Sequence, residues 1–399
     1  MKEGWTYKKL GEVANFYRGL TYGKQDEAES SNVCVLRSNN IDLESMKLIL
    51  DDIKCLKPNF VIPDDKKLKA NSIFICMSNG SKQHVGKVAY IDHNMEYAFG
   101  GFMGLIVPSK EVHAKYLYYV CRSSLYRRFL SSIGNGIGIT NLKFSDLYNF
   151  SFPFSIMSEQ QKIVSELDLL SDVIEKKKAQ IEEFDKLTQS TFYDMFGDPV
   201  TNEKVWDMTI LKNVTIRFSD GPFGSNLKSS HYRDEGIRVI RLQNIGVNEF
   251  VDLDKAFITE DHYQKLIKYT CYPGDILIGT LGSPNLRACI IPQYIDKCIN
   301  KADCVLCRVN NDIANAKYIC YLLNCESFVK AACILSHGET RTRISAGQLR
   351  DYNIPLPPLT LQQEFAARIE AIEQMKAKVR QSLKETEELF NSRMDYYFN

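Results

Sequence analysis

Three stretches group side chains as a DNA-reading surface would. "RLQNI" sets Arg241, Gln243 and Asn244 together, and a guanidinium with two amides suits the edges of guanine and adenine in the major groove. "SHGETRTRIS" (336–345) carries Arg341 and Arg343 at strand spacing beside His337 and Thr340. "SDGPFGSN" (219–226) ends in Phe223, Gly224, Ser225 and Asn226: glycine lets a backbone approach phosphate closely, and the aromatic, hydroxyl and amide groups can reach a base. Plainer readings stand beside these. Alternating polar residues on a strand also simply face water, and Pro-Gly is an ordinary turn.

Catalytic chemistry leaves no comparable mark. The chain has no Walker-type phosphate loop, no dinucleotide G-x-G-x-x-G after a strand, no G-x-S-x-G elbow and no H-E-x-x-H. Its six histidines stand apart. A nuclease-like acidic-x-Lys, Glu175-Lys176-Lys177, falls inside a helical charge run and reads as a solvated face. The Asn/Asp-Pro-Pro-aromatic loop of amino-group methyltransferases is missing. Cys304-x-x-Cys307 lacks the second ligand pair that tetrahedral zinc requires and sits in an alternating strand pattern. The reading is therefore no catalytic residue, no metal and no cofactor.

The elements that must position the polar stretches are written twice. Pro153 pairs with Pro355, Gln160 with Gln362, Leu167 with Ile369, Leu187 with Leu389 and Phe196 with Phe398, each at a shift of 202. "AKYLYY" (114–119) matches "AKYICY" (316–321) at that shift, while "VLRSNNI" faces "VIRLQNI" with a slightly looser one. A repeat this long means duplicated domains, not a stacked array. Short β-rich runs such as "SIFICM" and "CVLCRV", broken by Gly, Pro, Asn and Asp, alternate with helical patches, so each lobe is predicted to be α+β with mostly antiparallel strands. The order is a lobe over 1–155, a helix over 156–199, a lobe over 200–357 and a helix over 358–399.

Ile163, Leu167, Leu170, Ile174, Ile181 and Phe184 recur at heptad spacing in the first helix, and Phe365, Ile369, Ile372, Val379 and Leu383 in the second. Lys177 and Lys376 fall in these seams. Ser158 and Thr360 are the expected N-caps. A helix with one apolar stripe needs a partner, and the other copy is the economical one. About 36 residues make a rod of ~54 Å, long enough to space two lobes; a packing or dimerising coil would explain the stripe equally.

The 399 residues, 44% apolar and 25% charged, are those of a globular two-domain protein. The N-terminus has no apolar leader and no run approaches a membrane span, which points to the cytoplasm and no membrane. Twelve scattered cysteines read as core thiols. Net charge is +1, but residues 156–196 and 358–399 carry 11 Lys/Arg against 16 Asp/Glu, leaving 39 against 33 on the rest of the chain. Basic lobes on acidic helices suit a DNA-facing protein.

With "SEQQKIV" and "PPLTLQQEF" as proline-flanked, glutamine-containing helix starts, the half-length repeat and the supporting "GPFGS" turn, the whole chain resembles the specificity (S) subunit of Type I restriction-modification systems. The resemblance implies two target-recognition domains on long helices packed as an antiparallel coiled coil, with an approximate two-fold internal repeat. It implies a non-catalytic subunit that reads a bipartite, asymmetric site in double-stranded DNA, one half per domain. It further implies docking to methyltransferase (M) subunits, which bind S-adenosylmethionine, and to a motor-nuclease (R) subunit. Half-site centres should lie about one helical turn, ~34 Å, apart or slightly more. Contacts implied at corresponding positions are Tyr22, Lys24, Arg37, Asn39, Asn40, Asn79, Lys82, Asn135, Thr140 and Asn141 in the first lobe and Thr280 in the second. The alternatives are a stand-alone restriction enzyme or methyltransferase fragment, and a coiled-coil scaffold that binds proteins.

Overall fold

The computed structural model describes residues 4–133, 140–282, 286–334 and 344–399. Two compact units divide the chain: residues 1–179 with 380–399, and residues 180–379. Each unit therefore contains one lobe and a part of both long helices.

In the first unit a four-stranded antiparallel sheet runs in the order Ala14–Arg18, Met103–Pro108, Ser72–Cys76, Val88–Ile91. Its central strand "SIFIC" is apolar at nearly every position, as a strand covered on both faces must be. Period-two alternation divides it between two cores. Ile73 and Ile75 join the core that includes the helices, and Phe74 and Cys76 join a second core on the other face. Behind that second core lies a five-stranded sheet ordered Glu27–Ala28, Lys54–Leu56, Cys34–Leu36, Met95–Phe99, Lys67–Leu68, in which Cys34–Leu36 and Met95–Phe99 run parallel.

The second unit repeats the plan. Its main sheet is ordered Thr215–Ser219, Cys304–Val309, Ile276–Gly279, Arg287–Ile290, and a further sheet is ordered Ala256–Ile258, Ile237–Ile240, Cys298–Asn300, Thr270–Cys271 with one parallel pair. Val305 and Cys307 face the helix-containing core, Cys304 and Leu306 the other. Both cysteines of the C-x-x-C pair are thus core residues whose thiol pKa burial pushes up.

The long helices span Met157–Phe196 and Leu359–Phe398. They begin one residue before the expected caps, so Ser158 and Thr360 lie within the first turn. A buried glutamine secures each start instead. Gln160 accepts from the His113 backbone N–H at 2.8 Å and donates to the carbonyls of Ser155 at 2.8 Å and Glu111 at 3.1 Å. Gln362 accepts from the Asn315 N–H at 2.8 Å and donates to the Pro357 carbonyl at 2.7 Å. An amide offers both donor and acceptor, which a serine hydroxyl on the helix surface could not carry this far into the lobe. The hydroxyls of Tyr116 and Tyr318, on the short helices Ala114–Val120 and Ala316–Leu323, donate to Pro153 and Pro355 at 2.8 Å each.

Within each unit the two long helices run antiparallel. In the first, Ile163, Leu167 and Ile174 are buried with Phe390, Met394 and Phe398, and Leu170 and Leu383 pack against them. In the second, Phe365, Ile369 and Ile372 are buried with Phe192 and Phe196, and Phe184 packs alongside. Ile181 and Val379 are half-buried. The terminal rings reach the lobes: Phe398 lies 5.4 Å from Tyr116, and Phe196 lies 4.7 Å from Tyr318. Lys177 in the seam donates to the Ser382 carbonyl and hydroxyl at 2.9 and 2.8 Å and to the Thr386 hydroxyl at 2.6 Å, using all three ammonium protons. Lys376 pairs with Asp185. No helix among the described residues is long and apolar enough to cross a membrane.

Replacing Phe398 by alanine should remove about 3–5 kcal/mol, and Gln160→Ala, which strands a buried N–H, about 1–3 kcal/mol. Urea unfolding of the full chain checks both, and midpoints unchanged from the parent would contradict these anchors.

Candidate nucleic-acid interface

In each lobe a buried strand runs into a single 3-10 turn that carries the polar residues. Cys34–Leu36 leads to Arg37 and the turn Ser38–Asn40, and Ile237–Ile240 leads to Arg241 and the turn Leu242–Asn244. The last residue of each turn faces inward. Asn40 is 1% exposed and Asn244 0%. Asn40 accepts from the Arg37 N–H at 2.8 Å and donates to the carbonyls of Ile49 and Asp52, both at 3.0 Å. Asn244 accepts from the Arg241 N–H at 3.0 Å and donates to the carbonyls of Val251 and Asp254, both at 2.9 Å. Neither asparagine is available to a base. Both are corrected from contact residues to braces, because one buried amide is fully occupied by three backbone groups of its own turn and loop.

The preceding residues of each turn lie beside an aspartate: Asn39 and Gln243 are exposed, while the Arg37 and Arg241 side chains are 38% and 18% exposed. Arg37 pairs with Asp52 at 3.3 Å, and Asn39 donates to the same carboxylate at 2.7 Å. Arg241 pairs with Asp254 at 2.5 Å, and Gln243 donates to that carboxylate as well. The Gln243 hydrogen bond, with the Arg241 guanidinium behind it, holds the Asp254 carboxyl below its ordinary range. Arg241 also lies 5.3 Å from the centre of the Tyr232 ring, with Lys301 5.5 Å from the same centre. Each turn thus presents one guanidinium and one amide, set side by side by a carboxylate. Those two groups match the acceptor pair of guanine and the donor-acceptor pair of adenine.

The remaining candidates divide. In the first lobe Asn79 donates to the Ser38 hydroxyl at 2.8 Å, which ties it to the turn, and its N–H donates to the Thr140 carbonyl at 3.2 Å. Thr140 and Asn141 are exposed there, Asn141 bridging to Ser78. Lys82 is exposed on the turn Lys82–His84, and Lys24 on Lys24–Asp26. Tyr22 is half-buried against Leu20, Val35, Leu56 and Ala98, and burial pushes its phenol pKa up. In the second lobe Phe223, Gly224, Ser225 and Asn226 are all exposed, and Gly224 adopts φ +60°, a conformation glycine takes without strain. Thr280 is 0% exposed, with its N–H on the Asp303 carbonyl at 3.0 Å, so its assignment as a contact is also corrected: it closes a strand end. Asn135, His337, Thr340, Arg341 and Arg343 lie outside the described residues.

Sequence reasoning missed Asp52 and Asp254. Carboxylates are not expected on a DNA-facing surface, yet the two are 202 apart, the same shift that relates the glutamines. Arg238, buried and paired with Asp252 at 2.9 Å, was likewise unmarked.

The family model for the Type I restriction modification DNA specificity domain matches residues 2–214 and again 226–387. The specificity subunit of the Type I restriction enzyme StySPI from Salmonella potsdam is 24% identical over 391 residues, covering 93% of this chain and 82% of that protein. That of EcoKI from Escherichia coli K12 is 29% identical over 206 residues, 51% of this chain and 44% of the relative. The crystal structure of the Type I restriction-modification S subunit from M. genitalium shares the fold, with a TM-score of 0.58 at 17% identity over 99% of this chain and 96% of that one. With two lobes that repeat one plan, each matched by that family model, the chain belongs to the DNA specificity subunits of Type I restriction-modification systems.

Proposed function

We propose that the domains 1–155 and 200–357 each read one half of a bipartite, asymmetric site in double-stranded DNA, through the turns that carry Arg37 with Asn39 and Arg241 with Gln243. The observation that carries this reading is the equivalence of the two turns: both are braced from within by a buried asparagine and both gather a guanidinium and an exposed amide on one aspartate. The aspartates keep these long side chains ordered before DNA arrives, which lowers the entropy lost on binding. The pairs differ in amide length, Asn against Gln, as readers of unlike half-sites would.

The chain acts as a non-catalytic subunit. In the second lobe Cys289, Cys304 and Cys307 are buried and burial pushes their thiol pKa values up, the reverse of what a nucleophile needs. Methyl transfer and cleavage belong to methyltransferase subunits, which bring S-adenosylmethionine, and to a motor-nuclease subunit, all in the cytoplasm. Purified chain with DNA, Mg²⁺ and S-adenosylmethionine is expected to show neither cleavage nor methylation. Turnover by the chain alone would favour a stand-alone enzyme.

The segments 156–199 and 358–399, built on the long helices, serve as the spacer between half-sites. Their continuous 40-residue lengths support this role. Arg241→Ala should lose about 1–3 kcal/mol of discrimination at one base pair and leave the other half-site intact; a uniform loss on all sequences would mark Arg241 as a phosphate contact. A heptad inserted into both helices should widen the gap in the methylation motif by about three base pairs, since seven residues add ~10.5 Å and a base pair occupies ~3.4 Å. An unchanged gap would reject the spacer.

A further inference from the structure

Beneath each reading turn stands a cation from another strand. Lys87, 4% exposed, precedes the strand Val88–Ile91 and donates to the Ile41 carbonyl at 2.7 Å. Arg287, half-buried, opens the strand Arg287–Ile290 and donates from Nε to the Ile245 carbonyl at 2.5 Å and from a terminal nitrogen to the Leu242 carbonyl at 2.9 Å. Ile41 follows Asn40 directly and Ile245 follows Asn244, so the two cations grip the same point of the two turns. Leu242 sits between Arg241 and Gln243, the guanidinium and amide that share Asp254.

We propose that Lys87 and Arg287 are positioning residues for DNA reading, each fixing the height and tilt at which its own turn offers its guanidinium and amide. This rests on the reading of the turns given above. A buried carbonyl at the end of a turn needs a donor, and a neutral one would suffice for satisfaction alone. A buried cation makes a shorter, stronger bond, and the desolvation it incurs is tolerated here in both lobes by residues of different type. The difference is informative. Lysine offers a point charge to one carbonyl, whereas the planar fork of arginine spans two and so holds both ends of the second turn. The second lobe's turn is accordingly the more constrained, and base preference in its half-site depends more on the fork than on charge.

The test is the methylation motif, mapped by long-read sequencing in host cells that lack the nuclease subunit and carry variants of the full chain at its natural locus. Lys87→Met and Arg287→Met are each expected to weaken base preference roughly tenfold in one half-site, a different half for each, while the other half keeps its preference. Lys87→Arg should restore the first half-site, and Arg287→Lys should restore the second only in part. Lys87→Gln and Arg287→Gln keep a neutral donor and serve where a methionine variant does not fold; their loss is expected to be about threefold and again confined to one half. Arg37→Ala and Arg241→Ala run alongside. If these alter the motif and the Lys87 and Arg287 variants do not, or if the latter weaken both halves alike, the positioning role is overturned and the reading of the turns stands. If the Arg37 and Arg241 variants also leave both halves unchanged, the reading of the turns falls, and the positioning role with it.

Discussion

A helix with one apolar stripe cannot stand alone in water, and that constraint organises this chain. Each long helix covers the stripe of the other, and each ends in a phenylalanine that fills the core beside a tyrosine: Phe398 at Tyr116 in the first unit, Phe196 at Tyr318 in the second. A lobe with only the helix that follows it in sequence lacks part of its core. The compact units are therefore discontinuous, residues 1–179 joining 380–399. Packing, not chain order, defines what folds together.

Apolar stripes alone would tolerate sliding by a heptad, and polar contacts remove that freedom. Lys177 has a complete set of acceptors only where Ser382 and Thr386 face it. Glu166 meets Arg393 with Tyr397 beside it, and Lys376 meets Asp185. A polar residue in a helical seam generally costs stability and specifies register. The same economy recurs at the turns, where Asn40 and Asn244 face inward and Arg37 and Arg241 each pair with an aspartate.

Much of this was legible in the residues. The shift of 202 stood out because its most constrained positions admit few substitutes: Gln160 and Gln362 need an amide, Tyr116 and Tyr318 a hydroxyl on a large ring, Phe196 and Phe398 an aromatic terminus. The stripes were legible because burial enforces their period. What escaped depends on which way a polar side chain points. Asn40 and Asn244 look like readers in a run of Arg and Asn, yet an amide serves a turn's interior as readily as a base edge, and composition does not distinguish the two. Ser158 and Thr360 have the chemistry of caps, but Gln160 and Gln362 hold the helix starts from inside the lobes. Asp52 and Asp254 were passed over because their charge repels DNA, although each pairs with an arginine of its turn.

The central claim, that each lobe carries its own half of the recognised sequence, is tested most directly by a chain in which residues 200–357 are replaced with a second copy of residues 1–155 on the unchanged helices. The methylation motif of cells carrying that chain should contain the same half-site twice, with the original second half gone. Persistence of the original second half would contradict the account.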